Sequence, residues 1–210
     1  MELESTVFVV DDDAAIRDSL RWLIEATGQH VETYGSAQDF LHAYGQGRPG
    51  CLVLDVRMAG MSGLDLQKRL ADYPLPVPII FISGHANVPV AVRAMRAGAV
   101  DFFTKPFNNE ALLDRLNQCL RDNLEAWRAN ASRKEIDLRL ASLTPREHEV
   151  MERVIRGQAN KVIAIELGVS IKTVEAHRAK VMEKMGAHSL AELLRMTLTP
   201  PPLRENPKLT

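Results

Sequence analysis

The chain has 210 residues, 46% of them hydrophobic and 25% charged, with a net charge of −1. That is the make-up of a soluble globular protein with room for one large domain or two modest ones. There is no signal-peptide-like start and no apolar run of about twenty residues, which excludes a membrane-spanning helix and gives a cytoplasmic protein with no membrane partner as the expectation. The small net charge hides an asymmetry. Residues 1–120 carry 10 Lys and Arg against 15 Asp and Glu, whereas residues 142–198 carry 9 against 7. An acidic front and a mildly basic rear suggest separate jobs. The two cysteines, Cys51 and Cys119, lie in apolar contexts and read as buried free thiols rather than a disulfide or metal pair.

Residues 6–10, 31–34, 51–54, 77–82 and 100–103 are short apolar or β-branched runs that read as strands. Between them, residues 14–26, 37–44, 64–71 and 89–97 carry helical patterns, and Ser36 followed by Asp39 makes a helix start. Near-continuous apolar strands alternating with helices predict an α/β fold, a doubly wound five-stranded parallel sheet with its ligand beyond the C-terminal strand ends. A long helix is expected from near Asn108 through Leu120, with 121–141 as a more polar helical linker, so that the first domain spans 1–120. Thr144-Pro145-Arg146-Glu147 combines a cap, a proline at the first helical position and a capping box, opening a helix that ends near Gly157. Helices over 159–167, over 171–185 behind the cap Ser170, and from Ser189 to about Thr197 complete a small all-α unit over 142–198. Gly168 and Gly186 stop the first two. Residues 199–210, with Pro200-Pro201-Pro202, are expected to be a disordered tail.

The predicted sheet gathers an unusual set of side chains at one rim. Asp11, Asp12 and Asp13 follow the first strand, Asp55 ends the third, Ser83 ends the fourth, and Lys105, ahead of Pro106, follows the fifth. Carboxylates this close repel one another unless a cation lies among them. Oxygen-only ligands favour a hard ion, Mg2+ or Mn2+. An aspartate can attack phosphorus to form an acyl phosphate, and a metal, Lys105 and the Ser83 hydroxyl can stabilise the charge of the transferred group. Each residue also has an ordinary reading. Asp13 reads as a helix cap, which leaves Asp11 and Asp12 for metal; Ser83 could be a turn residue beside Gly84, and Lys105 a solvated lysine. Their joint placement is what favours chemistry.

Val9-Val10-Asp11-Asp12, Leu54-Asp55-Val56-Arg57-Met58, Met61-Ser62-Gly63, Ile82-Ser83-Gly84-His85, Ala97-Gly98-Ala99-Val100-Asp101-Phe102 and Lys105-Pro106-Phe107 resemble the receiver domain of response regulators, a flavodoxin-like fold. The resemblance implies that Asp55 accepts a phosphoryl group from a sensor histidine kinase. It implies that Asp11, Asp12, Asp55 and the Arg57 carbonyl hold Mg2+, that Ser83 and Lys105 contact the phosphoryl group, that Phe102 turns inward as Ser83 moves, and that the Lys105–Pro106 peptide is cis. Two departures stand out. Ala59 occupies a position where the family usually has proline, and Ser83 one where threonine is commoner.

In the second domain, helix–tight turn–helix is read from residues 159–167, Gly168-Val169-Ser170 and residues 171–185. Val162, Ile163, Ile165, Leu167, Val169, Val174, Val181 and Met185 form the expected packing stripe. Lys172, Thr173, Glu175, His177, Arg178, Lys180 and Lys184 lie outward or nearby, where they could meet phosphates and base edges, or else form an ordinary solvated face. Leu143-Thr144-Pro145-Arg146-Glu147, Gly157-Gln158-Ala159-Asn160-Lys161, Leu167-Gly168-Val169-Ser170 and Lys172-Thr173-Val174-Glu175-Ala176-His177-Arg178 resemble a LuxR-type helix-turn-helix. This adds Asn160, Lys161 and Ala176 to the expected DNA-facing residues. A receiver joined to such a unit resembles the FixJ/NarL regulators, the FixJ side particularly. The resemblance implies a homodimer on phosphorylation, promoter DNA as ligand and, for an activator, RNA polymerase as partner. Asp11-x-Asp13 also resembles the haloacid-dehalogenase-like phosphatases, but those expect Thr or Val at Ala15 and have no use for a helix-turn-helix. A nucleotide-binding oxidoreductase would need a glycine-rich turn after the first strand, and none is present.

Overall fold

The computed structural model describes residues 4–45, 47–84 and 88–198, and the chain divides into two compact units, residues 1–130 and 131–210. His85 of the fourth-strand motif and the tail expected to be disordered lie outside the described residues.

The first unit is a five-stranded sheet of β1 (Thr6–Val10), β2 (His30–Tyr34), β3 (Gly50–Asp55), β4 (Ile79–Ser83) and β5 (Asp101–Thr104). All pairings are parallel, in the order β2-β1-β3-β4-β5. Successive side chains of a strand face opposite ways, so each strand serves two cores. Phe8, Leu52, Leu54 and Phe81 point to one face, where α2 (Ala37–Tyr44), α3 (Gly63–Leu70) and α4 (Val88–Arg96) cover them with Phe40, Leu66, Leu70 and Ala94. Val7, Val9, Val53, Ile80 and Ile82 point to the other, against Leu20 and Ile24 of α1 (Ala14–Glu25) and Leu112 and Leu116 of α5 (Asn109–Ala141). The expected near-continuous apolar strands follow from this double burial. The helix starts are as expected. Asp13 caps α1 by accepting from the Ala15 amide, and Ser36 caps α2 by accepting from the Asp39 amide.

The second unit packs α6 (Pro145–Ile155), α7 (Asn160–Leu167), α8 (Ile171–Met185) and α9 (Leu190–Leu198) around Val150, Val154, Ile163, Val174, Val181, Met185 and Leu193. Thr144 and Glu147 form the capping box of α6, with Pro145 in its first turn. Ser170 caps α8, and Gly168 and Gly186 close α7 and α8 in the left-handed conformation that glycine takes without a steric penalty. The packing stripe needs a correction on α7. Val162 and Ile165 are 43% and 74% exposed; Ile163 and Ala164 are the buried residues. Apolar residues lie on every face of this short helix, and only one face meets α6 and α8. The last turns of α5, read from sequence as linker, supply Ile136 and Leu140 to this core. Arg139 Nη1 donates to the Met185 carbonyl at 2.7 Å, satisfying an orphan acceptor at the end of α8.

Gly63 opens α3 with no room to spare: a Cβ there would lie 2.2 Å from the Asp55 carbonyl oxygen and 3.1 Å from a Phe81 ring carbon. The nearer atom is backbone, so relief requires α3 or the end of β3 to move. Gly63→Ala is therefore expected to destabilise the chain by about 1–3 kcal/mol in denaturant unfolding. An unchanged midpoint would mean that the loop after β3 yields freely.

Candidate functional site

Strand register places the site. Val10 pairs with Leu54, so Asp11, just after β1, and Asp55, the last residue of β3, lie side by side. Asp55 pairs with Ile82, one residue before Ser83, and Ser83 pairs with Thr104, one residue before Lys105. The rim lies at the C-terminal ends of strands leading in opposite directions from β1 and β3, the switch point of a doubly wound sheet. A cavity of about 280 Å3 opens there, lined by Asp11, Asp12, Asp55, Arg57, Ser83 and Lys105 among others.

Asp11, Asp55 and Ser83 are buried, at 1%, 7% and 2% exposure. Lys105 Nζ donates to Asp11 Oδ2 at 2.7 Å and to Asp55 Oδ1 at 3.0 Å, so one ammonium serves two carboxylates. The Arg57 amide donates to Asp55 Oδ2 at 2.6 Å, and the Asp13 amide to Asp11 Oδ1 at 2.9 Å. Burial pushes the Asp55 carboxyl above its ordinary value, against the opposing pull of Lys105 and the Arg57 amide. Burial works to lower the Lys105 ammonium, but its bonds to Asp11 and Asp55 prevail and hold it above its ordinary value. The Lys105–Pro106 peptide is cis. Phe102 is half-buried, its ring 6.1 Å from that of Phe81.

The expected metal set is only partly assembled. Asp11 and Asp55 meet at Lys105, but Asp12 Oδ2 accepts from the Ala59 amide at 3.3 Å, and among the described residues no group of three acidic, histidine or cysteine side chains closes on one point. Lys105 stands where the carboxylates need positive charge. The donor chemistry still fits a hard cation, since every available ligand is an oxygen and Asp12 lines the same cavity as the two carboxylates that share Lys105. The Ala59 contact had a readable signal, because a proline at that position could not donate.

In the second unit, Lys161, Lys172, Glu175, Ala176 and Lys180 are exposed, while Asn160, Thr173, His177 and Arg178 are half-buried. Arg178 Nη1 donates to Asn160 Oδ1 at 3.2 Å, joining α8 to the start of α7, and the Thr173 hydroxyl bonds with Ser170 at 2.8 Å. Lys184 is placed differently from the outward lysines: its Nζ donates to Glu147 Oε2 at 2.6 Å and to the Ser142 carbonyl at 3.1 Å. Lys184 and the Thr144 amide together hold the Glu147 carboxyl down to about 2. The sequence carries no local signal for this pair, whose members are far apart along the chain.

The family model for the response regulator receiver domain matches residues 7–117, and that for bacterial regulatory proteins of the luxR family matches residues 141–197. The chain belongs to the FixJ/NarL-type response regulators. It is 44% identical over 198 residues to the transcriptional regulatory protein FixJ of Bradyrhizobium diazoefficiens, covering 94% of this chain and 97% of that protein. It is 45% identical to the transcriptional regulatory protein TdiR of Thauera aromatica, over 92% of this chain and 86% of that one. A low-resolution structure of the response regulator StyR superposes with a TM-score of 0.86 at 44% identity, covering 92% of this chain and 98% of StyR. This response regulator thus joins a receiver to a LuxR-type DNA-binding domain, in a family of transcription regulators rather than classical enzymes. Asp13 of the Asp-x-Asp pair is the α1 cap. Among the described residues, no helix is long and apolar enough to cross a membrane.

Two outcomes follow from these ion pairs. Removing the ammonium in Lys105→Ala is expected to move the Asp55 carboxyl further up, read by carbon NMR of the side chain against pH; an unchanged or lower value would show that Lys105 does not neutralise the pair. Glu147 contributes stability that is present above its ordinary value of 4.5 and is lost as pH falls toward about 2. Glu147→Gln should therefore lower the thermal midpoint near neutral pH, with the gap to wild type closing over that window. A gap that stays constant down to the acid end would remove the ion pair as its cause.

Proposed function

We propose that Asp55 is the phosphoacceptor of a two-component pathway, and that its phosphorylation controls sequence-specific DNA binding. The carrying observation is the pairing of two buried carboxylates with one ammonium at the sheet's switch point, beside the Ser83 hydroxyl. An Asp55 oxygen attacks the phosphorus of a phosphohistidine on a sensor histidine kinase; the P–O bond forms as the P–N bond breaks, and the receiver itself catalyses the transfer. Lys105 and Ser83 contact the phosphoryl oxygens. Asp11, Asp12, Asp55 and the Arg57 carbonyl would hold Mg2+ or Mn2+, and the cation would supply further positive charge to those oxygens.

Phosphorylation shifts a pre-existing equilibrium through its different affinity for two forms of the receiver. Ser83 and Phe102 are the switch residues, and the outcome is a homodimer that binds paired half-sites in promoter DNA through α8. Asn160, Lys161, Lys172, Thr173, Glu175, Ala176, His177, Arg178 and Lys180 are the proposed DNA-facing residues. Lys184, engaged with Glu147, reaches DNA only by leaving that pair. Activation of transcription adds RNA polymerase as a partner, and the regulator works in the cytoplasm, with 1–120 as receiver, 121–141 as linker and 142–198 as DNA-binding domain.

With acetyl phosphate and Mg2+, wild type is expected to gain one phosphoryl group by mass and to dimerise by light scattering, while Asp55→Asn does neither. Equal labelling of the variant would sink the assignment.

A further inference from the structure

The three carboxylates at the rim are not neutralised alike. Lys105 Nζ donates to Asp11 and to Asp55, and the other oxygen of each accepts from a backbone amide two residues further along its own loop, Asp13 for Asp11 and Arg57 for Asp55. Those amide bonds are local, so each carboxylate and its amide donor move together. Asp12 takes its donor from elsewhere. Its Oδ2 accepts at 3.3 Å from the amide of Ala59, which lies 47 residues further along the chain. That bond joins the loop after β1 to the loop after β3, the loop that also carries Arg57.

Asp12 and Ala59 are both exposed, so close packing does not fix the Asp12 side chain, and the amide is the partner it has. While Asp12 lies there, no group of three acidic, histidine or cysteine side chains closes on one point among the described residues. Asp12 nonetheless lines the same cavity as Asp11 and Asp55. Mg2+ demands near-ideal octahedral geometry, so a carboxylate must turn to meet it. The Ala59 bond exists because residue 59 carries an N–H, which proline lacks.

We propose that the Ala59 amide holds Asp12 out of the metal set, so that amide and cation compete for one carboxylate and residue 59 sets how tightly the receiver takes Mg2+. The inference rests on the metal reading given above. Without a cation, Asp12 ties the two loops together. To complete the set, its carboxylate gives up the Ala59 amide and turns toward Asp11 and Asp55. Removing the donor removes the competitor and adds no ligand, so it tightens metal binding through Asp12 alone.

Titration of the nitrogen-15-labelled full chain with MgCl2, followed by amide NMR, tests this. In wild type the Ala59 amide signal is expected to move as Mg2+ saturates. Without metal, Asp12→Ala is expected to move it in the same direction, because both changes remove its acceptor. Ala59→Pro, read from the Asp11 and Arg57 amides, is expected to bind Mg2+ roughly three- to tenfold more tightly, the worth of one hydrogen bond. In the Asp12→Ala background the same proline should bring no gain. Affinity that Ala59→Pro leaves unchanged or weakens would overturn the proposal, as would a gain that survives Asp12→Ala. A wild type that takes no Mg2+ sinks the metal reading itself, and this inference with it. If Ala59→Pro fails to fold, the Asp12→Ala chain decides: an Ala59 amide that it leaves unmoved counts against the bond, and one that it moves supports it.

Discussion

Two carboxylates buried side by side are tolerable only with positive charge between them, and in this receiver Lys105 provides it. Its ammonium lies 2.7 Å from Asp11 and 3.0 Å from Asp55. Much of the first unit is arranged around that contact. Parallel pairing of β1 with β3 sets the carboxylates abreast, and pairing of β4 with β5 brings Lys105 to them. The cost of burial falls most visibly on Asp55, whose carboxyl rises even with Lys105 and a backbone amide bonded to it. A group held this way gains from any further cation at the rim, which is the physical link between the ion triad and the proposed metal-assisted phosphoryl transfer.

The LuxR-type unit solves a different problem. Its helices are short, and isolated helices of this length are marginal in water. Each therefore leans on its ends. Thr144 and Glu147 close the start of α6, Ser170 starts α8, and Gly168 and Gly186 turn the chain out of α7 and α8. Glu147 serves twice, capping α6 and holding Lys184, so the first helix of the unit is tied to the end of the helix proposed to read DNA. Arg139 from the last turns of α5 secures the same end through Met185. The proposed DNA-facing lysines, Lys161, Lys172 and Lys180, remain exposed for a partner.

The two edges of the receiver sheet have opposite chemistry. The C-terminal edge collects hard oxygen ligands and an ammonium suited to phosphoryl chemistry. The other edge has a cavity walled by apolar and polar side chains, beside which the buried Asn123 side chain accepts from the Gly50 amide and ties α5 to the start of β3. Both arise because side chains from separate strands and helices converge where strands begin or end, while the middle of the sheet is filled with apolar packing.

Much of this was legible in the chain itself. Short, near-continuous apolar runs marked the strands, caps at Asp13, Ser36, Thr144 and Ser170 marked helix starts, and Asp11, Asp55, Ser83 and Lys105 stood out because each follows or ends a strand. Such signals are local, set by backbone geometry and by the hydrogen bonds of nearby residues. Only the tertiary structure decided that Asp12 turns to the Ala59 amide, that Val162 and Ile165 face solvent, that Lys184 belongs to Glu147, and that Cys51 and Cys119 share one core. Those outcomes depend on which faces of separate elements pack together, and no spacing along one helix or strand encodes the partner that will occupy its other side.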